Sequence, residues 1–188
     1  MSRKYKFLDQ DKLYFVSFAV VNWIDLFIRI EYKNILLDSW RYCQQHKGLD
    51  LYAWCIMTSH VHMIIGSRGE NMEDIMRDMK KHTSIELRQA IQNLPVESRK
   101  EWILLMMHNA GKANSNNNDF QLWQQDNHPI ELYTPQVTHQ KLDYIHNNPV
   151  LAGIVDKAEE YLYSSARDYF GKSGLIDVIL LDPLLCFW

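Results

Sequence analysis

Apolar positions change their period along this chain, and each change marks a new element. Leu13–Trp23 is dense in Tyr, Phe and Val, which suits a strand. Over Glu31–Lys47, Ile35, Leu36, Trp40 and Cys43 recur at helical spacing, and Gly48 supplies a stop. Leu49–Met57 is a second apolar strand. Thr58 and Ser59 connect it to a third, His60–Ser67. Asn71 then caps a long helix whose stripe includes Met72, Ile75, Met76, Met79, Ile85 and Leu87. That helix is expected to reach about Leu94, just before Pro95, and a further helical stretch covers about Val96–Asn109. His108–Asp119 is polar, turn-rich and aperiodic, hence a loop. Aromatics return after Phe120, predicting a fourth strand at Gln121–Asp126. Thr134 caps a helix beginning at Pro135, since proline is favoured in the first helical position. Its end is expected near Asn147, because the residue before Pro149 is biased away from helical geometry. Short helical and extended pieces follow, including Glu159–Phe170.

The order β-α-β-β-α-β predicts an α+β fold of the ferredoxin-like, split βαβ kind. Helices would cover one face of an antiparallel sheet and leave the other for a ligand or another helix. At 188 residues the chain is read as one domain, with a core of about 13–170 and a C-terminal extension from 171. From Gly174 onward, that extension is open to three readings: an added strand, a dimer contact or a tail over the site.

Composition narrows the function classes only slightly. Apolar residues make up 47% and charged residues 23%, as in ordinary globular proteins. A net charge of −3 and a pI near 6.2 argue against a basic coat for duplex DNA. They leave room for local basic stretches such as Arg77–Arg88, or Arg3, Lys4 and Lys6. Six Trp and ten Tyr are a rich supply, and exposed aromatics suit the stacking of unpaired bases. Cys43, Cys55 and Cys186 are odd in number and widely spaced, which disfavours a disulfide framework or a thiolate zinc site. Tyr14–Trp23 is too short to span a bilayer and lacks a cleavage pattern, so a cytoplasmic protein without a membrane partner is expected.

The candidate chemistry begins in the third strand. Strand side chains alternate, so His60 and His62 share one face while Val61, Met63 and Ile65 fill the other. Two neutral imidazoles side by side can bind a divalent metal, although an ordinary pair of hydrogen-bonded strand histidines fits the same spacing. About eighty residues on stands Lys-Leu-Asp-Tyr-Ile-His-Asn-Asn-Pro-Val, residues 141–150. Tyr144 and Asn148, four apart, lie on one helical face. Over the histidines they would complete two nitrogens, one hard oxygen and a hydroxyl, a part-filled shell suited to Mg²⁺ or Mn²⁺. Taken singly, Tyr144 also reads as an amphipathic core residue and Asn148 as a helix C-terminal turn residue.

The histidine strand followed by Tyr-Ile-His-Asn-Asn-Pro-Val-x-Ala-Gly resembles the single-tyrosine HUH transposases, in particular the REP-associated tyrosine transposases and their insertion-sequence relatives. The resemblance runs from about Leu13 to Phe170. It implies a single-stranded DNA endonuclease and strand transferase acting in DNA transposition or recombination. Tyr144 would be the nucleophile, forming a 5′-phosphotyrosine bond and freeing a 3′-hydroxyl. His60, His62 and Asn148 would hold the metal, Mg²⁺ or Mn²⁺. The bond's energy would be kept for rejoining, so no nucleotide cofactor is required. On the helix after the histidine strand, Arg77, Lys80, Lys81 and Thr83 would contact phosphates. The implied partner is single-stranded DNA with hairpin structure. A homodimer sharing the tyrosine helix and a monomer both occur among such relatives. The alternative is a DNA-binding regulator that keeps the fold without cutting. A phosphodiesterase using a bound water, with Tyr144 structural, is a second rival. His128, in Asp-Asn-His-Pro, reads as a turn residue rather than a base.

Overall fold

The computed structural model describes residues 7–114, 119–125 and 127–181. Strands β1 (Tyr14–Ala19), β2 (Leu49–Ile56), β3 (His60–Ser67) and β4 (Ile130–Glu131) form one sheet in the order β2-β3-β1-β4. Every recorded strand pair is antiparallel. With helices α1 (Ile30–His46) and α2 (Met72–Asn93) between the strands, this is the split βαβ arrangement expected. Helix α3 (Lys100–Lys112) follows α2, α4 (Pro135–Leu151) follows β4, and a short α5 (Ala166–Tyr169) comes last. Among the described residues, no helix is long and apolar enough to cross a membrane. The N-terminal basic residues Arg3, Lys4 and Lys6, as well as Cys186, lie outside the described residues.

Alternation in β3 sorts the molecule into layers. Met63 lies opposite Val16 of β1 and Trp54 of β2, and Trp54 meets Trp40 of α1 edge-to-face at 5.6 Å between ring centroids. That face is the α1–α2 side, and Val61, Met63 and Ile65 are fully buried. His62 lies opposite Ser17 and Cys55, on the other face. This second face is occupied, because α4 crosses β2 and β3 there.

Two helix starts match their sequence signals. The Asn71 side chain accepts hydrogen bonds from the Glu73 and Asp74 amides at 2.9 and 3.3 Å, capping α2. Thr134 accepts one from the Val137 amide at 3.2 Å, with Pro135 next in the chain. The end of α4 differs from expectation. The helix passes through Pro149 to Leu151 instead of stopping near Asn147. Left-handed Gly153 stops it (φ +69°): the Gly153 amide donates to Val150 and the Ile154 amide to Pro149. This Schellman closure satisfies the terminal carbonyls and outweighs the amide that proline lacks.

The strand expected at Gln121–Asp126 is also corrected. Leu122 and Trp123 are buried, and the Trp123 ring meets Phe18 and Phe27, so the aromatic run plugs the core. Its ladder contact is an isolated bridge from Trp123 to Val20, just past β1, with the Gln124 amide donating to Ala19, and the edge strand is Ile130–Glu131. At the opposite edge, the chain after α4 seals β2: the Ile56 amide donates to Tyr163, Ser165 to Trp54 and Ile179 to Leu51. The extension through Leu181 thus lies on β2 and α1, where Arg41 and Gln44 donate to Leu175 and Asp177.

Gly111 in α3 lets the chain turn back closely. A Cβ there would overlap the Phe120 backbone nitrogen and lie 2.7 Å from its Cα. Gly111→Ala is expected to cost about 1–3 kcal/mol, the usual scale of overpacking, as measured by chemical denaturation.

Candidate nucleic-acid cleavage site

A row of rings crosses the α4 face of the sheet. His60 and His62 meet at 4.8 Å between centroids, and the His62 ring meets Tyr144 of α4 edge-to-face at 5.0 Å. Phe15, on β1, stacks on His62 at 5.6 Å and contacts Tyr144 at 5.9 Å. One chain therefore brings the expected histidines and the expected tyrosine together. Tyr144 keeps 43% of its surface exposed, so the site lies at the protein surface.

The histidines sit in a setting that holds them neutral. His62 is only 4% exposed, and both its ring nitrogens are buried without a hydrogen-bond partner. Burial, then the neighbouring His60 and Lys141, push its pKa down to about 3. His60 is also lowered by burial, against an opposing pull from Asp25. Its Nδ1 lies 3.2 Å from the Ser59 hydroxyl, which leaves Nε2 for another partner. An imidazole buried with both nitrogens unsatisfied carries a desolvation cost that an electrophilic ligand relieves. Neutral nitrogens of this kind fit a divalent cation. Among the described residues no group of three His, Cys, Asp or Glu stands ready for a metal. Asn148, half-buried one turn beyond Tyr144 on α4, offers a carbonyl oxygen.

Neighbouring residues divide by the side of α4 on which they stand. His146 turns inward, with Nε2 3.0 Å from the Ser165 hydroxyl, and burial lowers its pKa to about 4. Asp143 is exposed and pairs with His139 at 3.4 Å. His128 is exposed with a left-handed φ of +43°, in keeping with a turn role.

The expected phosphate contacts on α2 need revision. Thr83 is 1% exposed; its hydroxyl donates to the Met79 carbonyl at 2.8 Å and accepts from the Trp123 indole at 3.0 Å. It is a core residue, unable to reach a phosphate. The half-buried Lys80 ammonium donates to the Gln124 carbonyl at 2.9 Å and Asn127 Oδ1 at 2.7 Å, so it is engaged within the fold. Arg77 is exposed but paired with Asp74 and Asp78. Lys81 is exposed.

Sequence reasoning overlooked Phe15 and Lys141. Phe15 joins the site through the β1–β3 register, which no local pattern reveals. Lys141 was legible, since it stands three residues before Tyr144 on a helix. Its ammonium lies 4.8 Å from the Phe15 ring centroid and 5.7 Å from that of Tyr144.

Residues 24–103 match the family model described as "Transposase IS200 like", a span holding both histidines and ending before α4. That match spans less than half of the chain. The chain's fold is similar to that of a REP-associated tyrosine transposase solved bound to a REP hairpin. The TM-score is 0.64 at 17% identity, over 90% of this chain and 86% of that one. A putative transposase from Deinococcus radiodurans R1 is 21% identical over 50% of this chain and 72% of its own, with a TM-score of 0.37. No curated protein matches the chain.

Proposed function

We propose that this chain is a transposase that nicks and rejoins single-stranded DNA through a covalent bond to Tyr144. The observation that carries the reading is the contact between the Tyr144 ring and the buried, unpartnered imidazole of His62. The match of residues 24–103 to the IS200-like transposase model supports a role in transposition. The REP hairpin bound by the similar transposase supports a hairpin-bearing DNA strand as the partner.

In this reading Tyr144 Oη attacks a backbone phosphorus. A bond forms between Oη and phosphorus while the bond to the 3′-oxygen breaks. The phenolic proton passes to solvent, and the departing 3′-oxygen takes up a proton to become a hydroxyl. One phosphodiester is exchanged for another, so a 3′-hydroxyl can reverse the step and join new ends. His60, His62 and Asn148 would hold Mg²⁺ or Mn²⁺, which supplies positive charge to the phosphate oxygens. Lys141 adds a second positive charge on the same helix, 5.7 Å from the Tyr144 ring centroid, where it can attract the strand's phosphate. Phe15 and His62 hold the tyrosine ring at the sheet face from two directions.

The decisive experiment incubates labelled single-stranded DNA and Mn²⁺ with the protein, then looks for a labelled adduct on a denaturing gel. The expected adduct maps to the peptide containing Tyr144 and fails to form when the metal is chelated before the DNA is added. Cleaved DNA without an adduct would replace this reading with the bound-water phosphodiesterase. Binding without cleavage would replace it with the regulator.

A further inference from the structure

We infer that Trp23 is a stacking platform for an unpaired nucleobase beside the scissile phosphate, a subsite resting on the proposed strand-cleaving role. Its indole meets the His60 ring edge-to-face at 5.4 Å, extending the row of rings to Trp23–His60–His62–Tyr144. Exposure along that row is high at both ends and low at His62. Trp23 is 59% exposed, against 4% for His62. A strand whose phosphate lies over the histidines would carry a base past the indole.

Backbone geometry is the second, independent observation. Trp23 holds φ at +53°, directly after Asn22 at +56°. The left-handed region is tolerable for asparagine but costly for a bulky side chain, and such outliers persist only where the surroundings over-determine them. Here they do. Val20, Val21, Ile24, Leu26 and Phe27 are buried on both sides of the turn. The Val21 amide donates to Leu122, Phe27 to Thr58 and Trp23 to Val20. The core therefore clamps the flanks while the indole is turned outward, against the metal-site histidine. A tryptophan serving packing would be turned inward, as Trp40 and Trp54 are. An indole face accepts any base, so this subsite contributes affinity and orientation rather than sequence choice.

The test begins with a randomised pool of single-stranded oligonucleotides. Strands captured as covalent adducts are sequenced to locate the nick. Binding of one captured strand is then measured with Tyr144→Phe protein, which leaves the strand intact, with and without Trp23→Gly. Glycine adopts the left-handed turn without strain, so the melting temperature should not fall. Binding should weaken about ten-fold, the scale of one base stacked on an aromatic, and Trp23→Phe should restore most of it. Replacing single nucleotides with abasic sites should abolish the Trp23→Gly penalty at one position next to the nick and nowhere else. Unchanged binding by Trp23→Gly, or a penalty that survives every abasic replacement, overturns the subsite and leaves the cleavage reading intact. Failure of wild-type protein to form an adduct with any strand removes both.

Discussion

Tyr144→Phe is expected to abolish covalent capture and to lower strand cleavage by a factor of about a thousand or more, the scale seen when a nucleophile is deleted. The substitution removes one oxygen and leaves the ring in place. Its edge-to-face contacts with His62 and Phe15 persist, and the ring is partly solvent-exposed. Thermal melting should therefore match wild type within about 0.5 kcal/mol, and affinity for uncleaved strand should change little. That separation matters, because a structural tyrosine would give the opposite pattern of altered melting and surviving cleavage. Gel capture and calorimetry on the same preparations decide between them.

The largest expected stability effect lies away from the site, at Glu97. Its carboxylate is buried and accepts from Arg29 Nε at 2.8 Å, from the Arg99 amide and Nε at 3.1 and 3.2 Å, and from the Tyr32 hydroxyl at 3.3 Å. Arg29 and Arg99 also donate to the Val96 and Asp25 carbonyls, so one carboxylate ties the start of α1 to the α2–α3 turn. Glu97→Ala leaves two guanidinium groups without their shared acceptor and should cost about 3–5 kcal/mol. For a chain of this length that corresponds to a fall in melting temperature on the order of 10 °C. Burial pushes the Glu97 pKa up, but hydrogen bonds from Arg99 and Arg29 outweigh it and hold the group at about 2. A depressed carboxylate stabilises the fold above its unfolded pKa near 4.3 and loses that contribution as pH falls toward 2. Denaturation midpoints measured from pH 5 to 2 should drop more steeply in wild type than in Glu97→Gln.

Elements governed by local rules were legible in the sequence. The His60–Ser67 strand needed only alternation, and both the Asn71 cap and the Thr134–Pro135 start needed only side-chain oxygens and proline geometry. What escaped depended on partners far along the chain. The run at 120–123 has strand composition, yet Trp123 is fixed by Thr83 and Phe18, so tertiary packing overrode propensity. Thr83 itself was readable with more care. It continues the core stripe of Met72, Met76 and Met79 toward Leu87, and a polar residue there bonds inward. Pro149 misled for another reason: a glycine four residues later offered a closure that kept the helix going.

Asn148 shows how far the pattern carries. Spacing places it on the Tyr144 side of α4, and its half-buried setting agrees with that. The pairing of Tyr144 with His62, by contrast, required α4 to return across β3, which no spacing rule states.

On the proposed reading, a polypeptide whose own last long helix sets the phenol against its own imidazoles would carry both halves of the reaction. Adduct yield per molecule should then be independent of dilution, down to concentrations where any self-association has come apart. Mixing inactive Tyr144→Phe with inactive His62→Ala protein should recover nothing.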